Sequence, residues 1–231
     1  MFIKIIDIDT ISTSPIWSAQ YFSMAKTNTP NSLFPRVRIQ DVVEERKETV
    51  NPQSSPYSGY TYVGLENIES NIRTVFMQAE KKGAEVKSTS KLFKNGDILY
   101  GKLRPNLNKV YLVDEKIPIG ICTTEIIVLI PKNNVLPEYL AEILLSDDVR
   151  QRAESLTRGA SLPRVQVDDF LNIEIPLPDL ETQREMVEFI QQHRDKWFYY
   201  RSIVNDMPQH IQNALFERLY NGHPMLAFAT G

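Results

Sequence analysis

The chain has a single cysteine among 231 residues, Cys122, so it cannot staple itself with an intramolecular disulfide. Cys122 stands ahead of an apolar run, and a buried, inert thiol in a reducing cytoplasm is the expectation. No apolar run approaches the roughly 20 residues of a membrane-spanning helix. The opening Met1-Phe2-Ile3-Lys4-Ile5-Ile6-Asp7-Ile8-Asp9 meets acids too early for a signal peptide. There is no glycine-rich phosphate or dinucleotide loop, and Asn51-Pro52-Gln53-Ser54 lacks the aromatic residue of the Asn-Pro-Pro-Tyr signature of adenine methyltransferases. Histidine is scarce: His193, His210 and His223 are too dispersed for a metal site and read as surface or seam residues. Glu-x-Lys triplets begin at Glu45 and Glu80, but such triplets arise by chance and make a weak case for a nuclease. These absences predict a chain with no catalytic residues, metal or cofactor of its own.

An overall excess of positive charge is also missing, since the net charge is −3. A chain of this composition, 42% hydrophobic and 24% charged, is expected to fold as a globular protein with an ample core. If it binds a polyanion it must segregate its cations, because phosphate contacts need local Lys and Arg. It does segregate them. Lys91 to Lys109 holds five Lys/Arg against one Asp, and Arg150 to Arg164 holds four Arg against one Glu. Val165 to Asp195 reverses the balance, with eight acids and two Arg, and is expected to face away from any nucleic acid.

The stretch from Leu92 to Pro131 organises the rest. Asn95-Gly96 is a turn pair, Asp97-Ile98-Leu99-Tyr100 a short strand, and Gly101 a stop that permits close approach. A tight basic loop follows, with Lys102, Arg104 and Lys109 among Asn106 and Asn108, and Pro105 fixing the backbone. Val110–Val113 and Ile126–Ile130 read as strands, the second apolar without alternation and so expected to be buried on both faces. The loop residues are candidates for anion binding, although Arg104 and Arg164 are also placed to pair with Asp97, Asp168 or Asp169.

Elsewhere, Phe2–Ile6 reads as a strand, Trp17, Tyr21 and Phe22 as docking aromatics, and Thr27–Pro35 as a linker. Arg36–Ile39 reads as a strand or as the approach to a short helix over Gln40–Glu48, and Tyr60–Leu65 is a clear β signal. Tyr57, Tyr60 and Tyr62 read as core or sheet-face residues rather than base-stacking ones. Pro137–Leu156 has the spacing of one helix, delivering a second basic loop, Thr157-Arg158-Gly159-Ala160-Ser161, to the neighbourhood of the first. Val165–Phe170 suggests a strand or turn, and Ile173–Pro178 an edge strand ended by prolines.

From Glu181 to Leu219 the chain reads as a long helix. Met186, Ile190, His193, Trp197, Tyr200, Val204, Met207, Ile211 and Ala214 alternate spacings of four and three, the seam of a coiled coil that wants a partner helix. Pro208 allows the alternative of a helical hairpin broken near Met207. Asn221-Gly222 is a helix stop.

Several of these blocks, in this order, resemble the target recognition domain of the specificity subunits of type I restriction-modification enzymes. They are Gly96-Asp97-Ile98-Leu99-Tyr100-Gly101-Lys102-Leu103-Arg104-Pro105, Thr124–Leu129, Arg158-Gly159-Ala160-Ser161-Leu162-Pro163-Arg164, and Ile173–Pro178 with Leu180-Glu181-Thr182-Gln183. The resemblance covers roughly Arg36 to Gly222. Such subunits usually carry two recognition domains and two long helices; this chain has room for one of each and resembles a half-subunit.

The resemblance implies an α+β fold: an N-terminal extension over 1–35, a mixed-sheet recognition domain over 36–179, a long dimerisation and spacer helix over 180–222, and a tail over 223–231. It implies double-stranded DNA as ligand, with much of the base-reading surface in the first half of the domain. Lys102, Arg104, Lys109 and Arg158 would contact phosphate, Asn106, Asn108 and Ser161 backbone or bases, and Arg164 would belong to the same DNA-binding set. It further implies a partner methyltransferase that itself binds S-adenosylmethionine and a cytoplasmic homodimer formed through Met186, Ile190, Trp197, Tyr200, Val204, Met207 and Ile211, and it leaves open whether a restriction subunit joins the complex. The competing readings are an adaptor that scaffolds a partner enzyme without binding DNA and, behind it, a metal-dependent nuclease using Glu45 or Glu80.

Overall fold

The structure is a computed structural model that describes residues 32–76 and 79–216, together with Leu219. The expectations for Phe2–Ile6, Trp17, Tyr21, Phe22 and the tail after Asn221-Gly222 lie outside these residues. Strand β1 (Arg36–Arg38) runs into a one-turn helix α1 (Ile39–Val42), whose first turn is closed by the Asp41 carboxylate accepting the Arg38 N–H at 3.0 Å. The helix expected over Gln40–Glu48 stops there. Val42 and Val43 are both buried, and the chain turns extended as β2 (Val43–Glu45) to pair with a core strand, so tertiary pairing overrides local helix preference.

After β3 (Thr49–Val50) come β4 (Gly59–Val63), β5 (Ala79–Lys82), β6 (Ser90–Lys94), β7 (Ile98–Gly101), β8 (Val110–Leu112), β9 (Ile119–Cys122) and β10 (Ile126–Pro131). They form two sheets. One has the order β2-β10-β7-β8 and is antiparallel throughout; the other has the order β3-β6-β9-β4-β5, antiparallel except where β4 runs parallel to β9. The turn between β6 and β7 uses Gly96 at φ 85°, a conformation that glycine adopts freely.

The core lies where the sheets meet. Leu99, Tyr111, Ile126 and Val128 of the first sheet pack in one cluster with Val63, Phe93 and Cys122 of the second, joined by Ile68, Val113 and Ile117. Ile126, Ile127, Val128 and Leu129 are all fully buried, as a strand without alternation requires. Burial holds the Cys122 thiol protonated, its pKa pushed up to about 12.

The helix expected over Pro137–Leu156 is two helices, α2 (Pro137–Leu145) and α3 (Asp147–Ser155). Ser146 between them is extended (φ −62°, ψ 151°), and its hydroxyl accepts the Val149 N–H at 3.4 Å. Asp147 and Asp148 then complement the new N-terminus. A short hairpin, β11 (Thr157–Arg158) and β12 (Arg164–Val165), leads to α4 (Val167–Leu171) where a strand or turn was expected. Phe170 of α4 stacks on Tyr100 with ring centroids 4.1 Å apart, covering β7 on the side away from the second sheet. Strand β13 (Glu174–Pro176) pairs with β1, bringing the two ends of the domain together.

Helix α5 (Leu180–Phe216) follows, its first turn capped by the Asp179 carboxylate accepting the Thr182 N–H at 2.9 Å. Gln183 is fully buried: its Oε1 accepts the Leu136 N–H at 2.8 Å and its Nε2 donates to the Pro178 carbonyl at 2.9 Å. The helix runs through Pro208, so the hairpin alternative is not what the chain adopts. The chain divides into two compact units after Arg184.

Candidate nucleic-acid interface

The two basic loops are built into one surface. The Lys102 N–H donates to the Glu125 carbonyl at 3.0 Å, and the Lys102 carbonyl accepts the Val165 N–H at 3.1 Å. Leu103 bridges to Arg164, and the Arg104 N–H donates to the Pro163 carbonyl at 2.8 Å. The loop after β7 is thereby sewn to the β11–β12 hairpin, whose own turn uses Gly159 at φ 97°. These loops are distant in sequence and meet because β10 carries Glu125 at its entrance between them.

The eight candidate residues divide by what their side chains do. Lys102 is half-buried and Arg104 exposed, and neither has a carboxylate at ion-pairing distance among the described residues. Asn106 and Ser161 are exposed and make no side-chain hydrogen bond among the described residues. Arg158 pairs with Asp169 at 2.8 Å. Arg164 is gripped by both oxygens of Glu125: its Nε donates at 3.0 and 2.9 Å and its Nη2 at 2.8 Å. That grip holds the Glu125 carboxyl below the usual carboxylate range, against the opposing effect of burial.

Asn108 and Lys109 turn inward. The buried Asn108 amide donates to the Leu145 carbonyl at 2.8 Å and to Asn71 Oδ1 at 3.1 Å. The Lys109 ammonium donates to the carbonyls of Leu65 and Ile68 at 2.6 and 2.7 Å, and burial lowers its pKa. Both side chains fasten the basic loop to the segment after β4.

The candidate partners of Arg104 and Arg164 in the sequence are Asp97, Asp168 and Asp169. Asp97 is instead taken by Arg46, at 2.7 and 2.9 Å, and Arg164 by Glu125. No local pattern marks either pair, because β-strand pairing brings their members together. Of the tyrosines, Tyr57 is exposed, while Tyr60 and Tyr62 are half-buried on β4, with the Lys81 ammonium 4.0 Å above the Tyr62 ring. Glu45 of the first Glu-x-Lys triplet pairs with Lys91 at 2.9 Å.

Within the second unit, Trp197, Tyr200, Val204, Met207 and Ile211 lie 40–67% exposed along α5, while Met186 and Ile190 are half-buried. Among the described residues no helix is long and apolar enough to cross a membrane.

Residues 31–197 match the family model described as type I restriction modification DNA specificity domain. A curated relative, the type I restriction enzyme HindI specificity subunit of Haemophilus influenzae, is 29% identical over 130 residues, covering 55% of this chain and 28% of the relative. The HsdS subunit from Thermoanaerobacter tengcongensis superposes with a TM-score of 0.65 at 25% identity, over 86% of this chain and 52% of that one. A structure from work on complex assembly and conformational transition of the type I R-M system gives 0.66 at the same identity and coverage. The chain thus spans about half the length of these solved relatives and 28% of the curated one.

Proposed function

The chain belongs to the family of type I restriction-modification DNA specificity domains, and from that premise we propose that it recognises one half of a split site in double-stranded DNA. The observation that carries this reading is the junction of the two basic loops, which offers Lys102 and Arg104 free of internal ion pairs on a backbone fixed by Arg104 and Pro163. Those two cations, with Arg158 at their side, set register on the phosphates, while neutral side chains meet the bases. Arg164 and Lys109 serve the surface from within, as struts.

The chain itself is non-catalytic, as specificity subunits generally are. A methyltransferase subunit that binds S-adenosylmethionine supplies the chemistry within the same cytoplasmic complex. The exposed seam of α5 supports pairing with a second copy, which would place two recognition surfaces about a two-fold axis and make the target an interrupted palindrome.

The internal pairing of Arg158 and Arg164 favours a second reading, an adaptor that holds a partner enzyme without touching DNA. An adenine-methylation map of the source strain with and without the gene separates the two. Loss of methylation at one interrupted palindrome is the expected result, and loss at an asymmetric split motif would replace the homodimer by a pair of unlike half-subunits. Unchanged methylation, with the methyltransferase expressed, would favour the adaptor.

A further inference from the structure

Two exposed side chains of the basic surface carry no charge, and they sit on a constrained turn. Pro105–Leu107 is a single 3-10 turn bracketed by Arg104 and Asn108, both left-handed, with φ 50° and 49°. That region is uncommon for residues with a Cβ and persists where the surroundings impose it. Here they do. The Leu107 N–H donates to the Arg104 carbonyl and the Asn108 N–H to the Pro105 carbonyl, each at 2.9 Å, and Pro105 is buried. The Asn108 amide is pinned to Leu145, and the Arg104 N–H to Pro163.

The turn presents Asn106 and Leu107, both exposed. Neither side chain neutralises a phosphate, and Asn106 makes no side-chain hydrogen bond among the described residues. A neutral, rigid tip beside two unpaired cations has the layout of a base contact whose register is set by phosphate contacts. A carboxamide offers a donor and an acceptor in one plane, the pattern that matches N6 and N7 of adenine in the major groove, and an isobutyl group complements the thymine methyl. The geometry points to Asn106 and Leu107 as a pair that reads an A·T base pair within the half-site. This inference rests on the DNA-binding reading above and names the element that supplies sequence preference.

The test is selection of bound duplexes from a random-sequence library by the full chain, repeated with Asn106→Ala and Leu107→Ala, with affinities then measured on the selected duplex and on its substitutions. Wild type is expected to prefer A·T at one position by roughly 10- to 100-fold. Asn106→Ala should flatten that one preference while leaving the salt dependence and the affinity for unrelated DNA unchanged. Leu107→Ala should weaken it less, and should cancel the difference between thymine and uracil at that position. Wild-type selectivity that survives Asn106→Ala, or an equal loss on every sequence, would overturn the inference but not the DNA-binding reading. A wild-type chain that binds no duplex would overturn both.

Discussion

Glu125 and Arg164 form a two-oxygen, two-nitrogen clasp with donor–acceptor distances of 2.8 to 3.0 Å, and the Glu125 carbonyl takes the Lys102 N–H at 3.0 Å. One acidic residue therefore holds the hairpin that carries Arg164 and the loop that carries Lys102. An acid beside Lys102 and Arg104 would oppose a phosphate unless its charge is spent, and here Arg164 spends it.

Acid sensitivity follows from this clasp. Hydrogen bonds from Arg164 lower the Glu125 pKa in the folded chain, while the unfolded value stays near roughly 4.3. The stability it contributes is present above that unfolded value and is lost as pH falls through the lower, folded one. Asp148 adds to the trend: burial raises its pKa, but bonds from Arg152 and Arg36 outweigh burial and lower it. Thermal melts from about pH 6 to about pH 3 should show a declining midpoint. Glu125→Gln should start lower at neutral pH and decline less steeply.

Lys109 and Asn108 should behave as structural residues. Lys109→Met removes the ammonium that donates to the carbonyls of Leu65 and Ile68, leaving Leu65 only the longer bond from the Ile68 N–H at 3.3 Å, and Asn108→Ala removes the amide donor to Leu145. Each change should cost about 1–3 kcal/mol in urea unfolding. Bound DNA should show the same salt slope as wild type once the variant is folded.

Gln183 is a buried cross-brace within the first unit. Gln183→Leu removes the acceptor of the Leu136 N–H and the donor to Pro178, at a cost of about 1–3 kcal/mol by denaturant unfolding. A smaller loss would mean that these groups find water or other partners.

The seam of α5 should make the chain a dimer. Light scattering at micromolar concentration is expected to give twice the protomer mass of 26.6 kDa. Val204→Asp with Ile211→Asp should return the mass to one protomer, by placing carboxylates on a face otherwise apolar. A wild-type mass of one protomer would contradict the pairing.

What was legible in the sequence had strong local signals. Ile126–Ile130 reads as a doubly buried strand because five consecutive apolar residues leave no solvent face, and the structure buries the first four and half-buries Ile130. Asn95-Gly96 announced its turn through glycine. The break at Ser146 was also written locally, as a Ser-Asp-Asp N-terminus inside a periodic run, but the apolar spacing on either side hid it. The roles of Lys109 and Asn108 were not legible, and for Arg164 a structural ion pair was legible but its partner was not. Charge composition cannot tell a cation that faces solvent from one that donates to a buried carbonyl, and Glu125 lies 39 positions from Arg164. Pro208 reads as a helix breaker, yet α5 continues through it, forgoing one main-chain hydrogen bond in a helix of 37 residues.

The central claim is that the welded loops bind DNA through Lys102 and Arg104, and the salt dependence of duplex binding tests it most directly. Affinities of wild type and of the Lys102→Gln, Arg104→Gln double variant would be measured across salt concentrations, on the selected duplex and on unrelated ones. The logarithmic slope is predicted to fall in magnitude by about 1.8 for each bound protomer, roughly 0.9 per lost phosphate contact, equally on all sequences. An unchanged slope, or a loss confined to one sequence, would contradict the account.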